Sequence, residues 1–234
     1  MDKDRTRGPV SEDDGAEPSS EPDAGASTDP SAELGAAAME AFFRPARTTG
    51  PFLNGRILIA MPGIGDHRFE RAVLLLCLHD AEQAMAIVLN RPIEGLTLTS
   101  LLGRLGLDAD KTPEGSVMFG GPVERERGYV LHTDDYSSPG STLPVADGVA
   151  LTDTREVLEA LGDETARPRR CILALGYAGW GPGQLERELQ EGVWLTCDPD
   201  EELLFGPDND GKWARALAKI GVTPDRLSVQ AGRA

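Results

Sequence analysis

Two uninterrupted apolar runs, Ala72-Val-Leu-Leu-Leu-Cys-Leu78 and Ala84-Met-Ala-Ile-Val-Leu-Asn90, stand on either side of the polar turn Asp80-Ala-Glu-Gln83. A strand with one wet face alternates apolar and polar residues, whereas a strand covered on both faces has no such alternation. The short polar spacer predicts that the two runs form a hairpin. Further strands are expected at Arg56-Ile-Leu-Ile-Ala60, Val117-Met-Phe119, Gly128-Tyr-Val-Leu-His132, Val149-Ala-Leu151, Arg170-Cys-Ile-Leu-Ala-Leu175 and Val193-Trp-Leu-Thr-Cys197.

Helix punctuation falls between them. Thr97 is placed to cap a helix whose stripe is Leu98, Leu101, Leu102 and Leu105, with Gly106 as its stop. Asp153 and Glu156 have capping-box spacing before Val157, Leu158 and Leu161, and Gly162 follows. Pro182 suits a first helical turn, Leu185 and Leu189 share one face, and Gly192 supplies a left-handed end. A short helical turn is expected at Glu201 to Leu204. A last amphipathic helix carries Trp213, Leu217 and Ile220, ending at Gly221. Runs of adjacent strands mixed with helices indicate an α+β fold.

The first forty of the 234 residues hold eleven acidic side chains against three basic ones, half of the net charge of −16. With almost no large apolar residues, such a segment does not bury enough surface to offset its ordering entropy. Residues 1–35 are expected to be a disordered acidic tail and 36–50 a linker or docking helix around Leu34, Met39, Phe42 and Phe43. Residues 51–234 are expected to be a single domain.

The acidic balance argues against a nucleic-acid surface, whose affinity comes from Lys and Arg displacing counterions. The dense basic cluster Arg167-Pro-Arg169-Arg170 reads as a solvated strand entry. No apolar run approaches the ~18–20 residues that cross a bilayer. The three cysteines, Cys77, Cys171 and Cys197, are odd in number and sit in strand-like runs, which is neither a disulfide framework nor a zinc pattern. These features lead us to expect a cytoplasmic protein without membrane attachment, metal or cofactor.

Three groups of residues carry possible chemistry. Cys77 and His79 lie two apart on one expected strand, so their side chains are expected to point the same way, as a thiol and its base would. The alternative is a buried cysteine beside an ordinarily bonded histidine. His67, His79 and His132 with Asp66, Asp80, Asp134 and Asp135 include metal-ligand types, but at no diagnostic spacing. Gly120-Gly-Pro122 and Gly176-Tyr-Ala-Gly-Trp-Gly181 read as glycine turns. Such turns either hold a ligand and aromatic anchors close to backbone or make tight structural connections.

Taken in order, Leu58-Ile-Ala-Met-Pro62, Cys77-Leu-His79, Asn90-Arg-Pro92, Phe119-Gly-Gly-Pro122, Arg127-Gly-Tyr-Val-Leu-His132, Leu175-Gly-Tyr-Ala-Gly-Trp180, Gly183-Gln-Leu-Glu186 and Trp194-Leu resemble the YqgE/AlgH family of bacterial proteins. The resemblance runs from Gly55 onward and leaves out the acidic tail. It implies an α+β fold around a mixed, partly closed, barrel-like sheet flanked by short helices. One family name reflects a proposed part in transcriptional regulation, but the chain has neither a helix-turn-helix signature nor a basic face. The expectation is a non-catalytic binding or regulatory protein, acting on transcription at most indirectly through a protein or small-molecule partner. Its groove is expected among Gly120, Gly121, Pro122, His132, Gly176, Tyr177, Trp180 and Gln184. The alternatives are a cysteine enzyme or redox sensor using Cys77 and His79, and a direct DNA-binding regulator.

Overall fold

The two apolar runs do pair, in a computed structural model whose described residues are 52–227. The expected acidic tail, the linker or docking helix and residues 228–234 lie outside them. Strand β1 (Ile57–Ala60) leads through a 3-10 turn at His67–Phe69 into β2 (Val73–His79), which folds back antiparallel on β3 (Ala84–Val88). Every residue of the three strands is buried, as their unbroken apolar character requires. Strand β4 (Pro92–Thr97) runs into helix α1 (Leu98–Arg104). That helix begins with a complete capping box, in which Thr97 accepts from the Ser100 N–H and the Ser100 hydroxyl accepts from the Thr97 N–H.

Then follow β5 (Ser116–Phe119), the long β6 (Val123–Thr133), β7 (Thr142–Ala146), β8 (Val149–Thr152) and α2 (Arg155–Ala160). After them come β9 (Cys171–Trp180), α3 (Gln184–Gln190), β10 (Trp194–Cys197), α4 (Glu201–Phe205) and α5 (Lys212–Lys219). The strands join in the order β10-β1-β2-β3-β9-β6-β8-β7, with β4 and β5 attached beside β9. Pairing is antiparallel apart from β5 with β9, so the sheet is mixed. It curls like a half-barrel, and one interior core joins Ile57, Leu75 and Ile87 to Leu131, Val145 and Leu151 from the far strands. Trp213 and Leu217 of α5 and Leu203 of α4 close that core. Outside the curl, α3 covers β1–β3 through Leu185 and Leu189, while α1 and α2 cover β6 and β9 through Leu102, Val157 and Leu161.

Several sequence expectations are corrected. Strands β4 and β7 are additions to the expected strands: β4 is mostly exposed and contains Pro92 and Gly95, and β7 contains Pro144, so neither carries a strand pattern in the sequence. Strand β9 does not end at Leu175. It bends at Gly176, whose φ is 73°, and continues as strand to Trp180. Asp153 does not cap α2, which starts from Thr154; its carboxylate instead accepts from the Arg127 guanidinium, at 2.9 Å from Nε. Gly162 does follow the end of α2, but without a positive φ; a β-carbon there would run into the Asp108 carbonyl. Among the described residues, no helix is long and apolar enough to cross a membrane.

Candidate functional site

The segment from Leu175 to Trp194 builds one wall of a depression of about 370 Å³ on the outer side of β9 and β10. Trp180 ends β9, and a turn at Gly181-Pro-Gly-Gln184 then reverses the chain, closed by the Gln184 N–H on the Gly181 carbonyl at 3.1 Å. Pro182 at the second position and Gly183 at the third, with φ 67°, are the residues a type II turn demands. Pro182 therefore belongs to the turn, and α3 begins two residues later than its sequence position suggests. The helix ends in a Schellman motif at Gly192 (φ 72°), with bonds from Gly192 N to the Leu189 carbonyl and from Val193 N to the Glu188 carbonyl. That ending delivers Trp194 back beside Trp180.

Glu188 holds the two indoles together. Its Oε2 accepts from Trp180 Nε1 at 2.8 Å and from Trp194 Nε1 at 2.7 Å, while Oε1 accepts from Gln184 Nε2 at 2.8 Å. The rings meet edge to face at 5.9 Å, and Phe69 packs on Trp194 in the same manner at 5.7 Å. Gln184 also accepts from the Gly181 N–H. Asp66 and Arg68 stand on the opposite rim, with Arg68 Nε at 2.9 Å from one Asp66 oxygen and 3.0 Å from the other. The Arg68 side chain holds the Asp66 carboxyl down to about 2. Gly65, Gly179 and Pro122 complete the lining. The result is an aromatic-walled hollow with polar groups at its mouth, a form suited to an apolar group with a polar end.

Of the eight expected groove residues, the structure brings Pro122, Trp180 and Gln184 to this hollow. Trp180 forms a wall, not an exposed anchor, for it is only 6% exposed. Gly120, Gly121 and Gly176 lie instead at a sealed crossing of backbones. Gly120 donates its N–H to the Leu175 carbonyl at 2.8 Å and accepts from the Val88 N–H at 2.9 Å, tying β3 to β9 where β5 diverges. A β-carbon on Gly176 would meet the Gly121 and Val123 carbonyl oxygens at 2.6 and 2.7 Å, and one on Gly121 would overlap the Tyr177 carbonyl. The two glycine segments therefore do meet, but as packed backbone. Tyr177 is half-buried against Tyr129, ring to ring at 5.8 Å. His132 is fully buried within the sheet. Its Nδ1 faces the Thr133 carbonyl at 2.8 Å and so carries the proton, which leaves Nε2 to accept from Thr152 at 2.9 Å. Burial lowers its pKa and keeps it neutral.

Cys77 and His79 do not share a face. The β2–β3 register shifts between Leu76 and Leu78, so Cys77 is the extra residue of a bulge. Cys77 and Leu78 both enter the interior core, whereas His79 turns outward to Glu186 on α3. The Cys77 thiol faces the Leu75 carbonyl, and burial pushes its pKa up to about 12. His79 Nδ1 accepts from the Leu53 N–H at 3.1 Å, and Nε2 lies 3.0 Å from Glu186 Oε1. The alternation rule fails here because a bulge is a property of the pair of strands. The expected metal-ligand types do not cluster: among the described residues no group of three or more His, Cys, Asp or Glu is placed to hold a metal ion.

Residues that sequence reasoning missed are Phe69, Glu188, Trp194 and the Asp66–Arg68 pair. The four-residue spacing of Gln184 and Glu188 on a capped helix was an available signal for Glu188; the Asp66 rim, on an irregular loop, had none.

With this geometry in view, comparison with known proteins gives a consistent picture. A family model described as AlgH-like matches residues 57–225. A UPF0301 protein of Caulobacter vibrioides is 63% identical over 186 residues, covering 79% of this chain and 95% of the relative. One from Bradyrhizobium diazoefficiens is 48% identical over 203 residues, covering 80% and 94%. The solution structure of the AlgH protein from Pseudomonas aeruginosa superposes with a TM-score of 0.62 at 37% identity, over 80% of this chain and 99% of that one. A crystal structure from Corynebacterium diphtheriae, 18% identical with a TM-score of 0.60, shares the fold.

Proposed function

This chain belongs to the AlgH-like family, and from that premise we propose that it is a non-catalytic binding protein whose recognition surface is the hollow between Phe69, Trp180 and Trp194. The partner is a protein segment or small ligand that presents an apolar group with a polar end. Any effect on transcription runs through that partner, because the acidic body does not favour direct contact with DNA.

The observation that carries this reading is the convergence of five parts of the chain on one hollow: the loop from Ile64 to Phe69, Pro122, the end of β9, helix α3 and Val193–Trp194 at the start of β10. Both indole N–H groups and both Glu188 oxygens are already engaged within the protein, which supports a site built in advance of its ligand. The buried, neutral Cys77 thiol, turned away from His79, gives the thiol-enzyme alternative no comparable support.

Gly65 offers a direct test. It lines the hollow, its φ is not positive, and a β-carbon there meets nothing within 4 Å. Gly65→Trp therefore adds bulk at the mouth from a position whose backbone and β-carbon tolerate a side chain. Tagged wild-type and variant proteins at equal melting temperature are compared for what they retain from the cytoplasm and for complementation of a deletion strain. Loss of a retained partner and of complementation in the variant supports the reading. Identical partners and full complementation remove it.

A further inference from the structure

A second and larger cleft, of about 870 Å³, opens on the far side of β9. It lies between the Arg167–Arg170 segment, the Pro113–Ser116 approach to β5, the start of α1 and the loop from Phe205 to Asn209. Met118, Ile172, Leu173 and Phe205 give it an apolar lining. Its rim carries Arg167, Arg169 and Arg170 against one acid, Glu114, in a protein whose net charge is −16. The basic cluster that reads as a mere strand entry is thus gathered at the mouth of a cavity.

The three arginines are differently committed. Arg170 is occupied, with Nη1 3.1 Å from Glu201 and Nη2 donating to the Phe205 carbonyl at 3.0 Å. Arg167 gives one N–H to the Lys111 carbonyl at 2.5 Å and keeps the rest of its fork. Arg169 is exposed and donates its backbone N–H to Asp135, whose carboxyl its charge also helps to hold down, but among the described residues its guanidinium makes no hydrogen bond. Asn209, also on the wall, has a buried Oδ1 with no hydrogen-bond partner among the described residues.

We propose that this cleft binds a small amphipathic anion, its head taken by Arg169 and Arg167 and its apolar body lying over Ile172, Met118 and Phe205. The cavity falls in the size range of small-molecule sites. The acidic body repels a long polyanion along its length, but a small head feels chiefly the guanidinium groups within a Debye length of about 8 Å. Guanidinium forks suit carboxylate, phosphate or sulfonate oxygens.

Anilinonaphthalene sulfonate is the probe, titrated into the full chain with near-ultraviolet dichroism and melting temperature recorded alongside. Saturable fluorescence enhancement is expected, displaced by decanoate or decyl phosphate but not by inorganic phosphate. Arg169→Glu is expected to weaken it by about tenfold. Ser116→Trp, an exposed position on the lining, is expected to block it while leaving the fold intact. Gly65→Trp is expected to leave it unchanged, which separates this site from the hollow at Trp180. The proposal is overturned if folded protein gives no saturable signal, if Arg169→Glu and Ser116→Trp both leave the signal unchanged, or if inorganic phosphate competes as well as decyl phosphate.

Discussion

Glycine beside an aromatic ring occurs twice around β9 and does opposite work in the two places. At Gly120, Gly121 and Gly176 the missing side chain lets two backbones cross at contact distance, and the neighbours are carbonyl groups that have nowhere to move. At Gly65 and Gly181 the missing side chain faces open space. Positive φ is not the criterion, since Gly120 is sealed without it. The criterion is what lies within a methyl group's reach, and only the second kind leaves room for a ligand.

The sharpest way to break this contrast is Gly121→Ala. The added carbon overlaps the carbonyl of Tyr177, which is held by sheet pairing with Val123. We expect a loss of more than about 4 kcal/mol, or failure to accumulate folded protein, measured by denaturant unfolding. Near-wild-type stability would mean that the crossing is loose and could open as a site.

Next in size is Glu188→Ala, which tests whether the hollow's walls are held by a polar clamp. Removing the carboxylate leaves the Trp180 and Trp194 indole N–H groups without their acceptor. The expected cost is about 2–3 kcal/mol, with a changed tryptophan emission spectrum. Glu188→Gln, which retains an acceptor oxygen, is expected to cost less.

A smaller effect is expected at the rim. The folded pKa of Asp66, about 2, lies below its ordinary 3.8, so its pairing with Arg68 stabilises the fold above pH 3.8 and is lost as pH falls towards 2. The pair is exposed, so Asp66→Asn is expected to cost no more than about 1 kcal/mol at neutral pH. The difference from wild type should shrink as pH falls from 3.8 and vanish only below pH 2 in thermal melts. A difference that persists there would assign Asp66 a role other than charge pairing.

The order of these effects mirrors what the sequence made legible. The buried hairpin, the Thr97 cap and the Gly106, Gly192 and Gly221 helix ends were readable because each depends on residues close together in the chain. The half-barrel closure came through resemblance to a family, since no local pattern encodes curvature. Strand β7 was missed although Asp147-Gly148 after it is a strong hairpin signal, with Gly148 at φ 71°. The extension of β9 through Gly176 and the bulge at Cys77 were not legible, because both are set by the partner strand. For the site, residue types pointed to Trp180 and Gln184, whereas the division of glycines into sealed and open needed three-dimensional neighbours.

Gly65→Trp is expected to change stability least, and for that reason it discriminates best. A β-carbon at Gly65, which lines the hollow with Phe69, Trp180 and Trp194, meets no atom within 4 Å. Unfolding free energy should stay within about 0.5 kcal/mol of wild type, as for other surface substitutions. A small gain is consistent too, if the new indole packs on the aromatic walls. Set beside Gly121→Ala, it asks whether two glycines near the same strand differ in kind. A large loss of stability in Gly65→Trp would show that the hollow collapses readily onto its own walls, and its claim to be a preformed site would go with it.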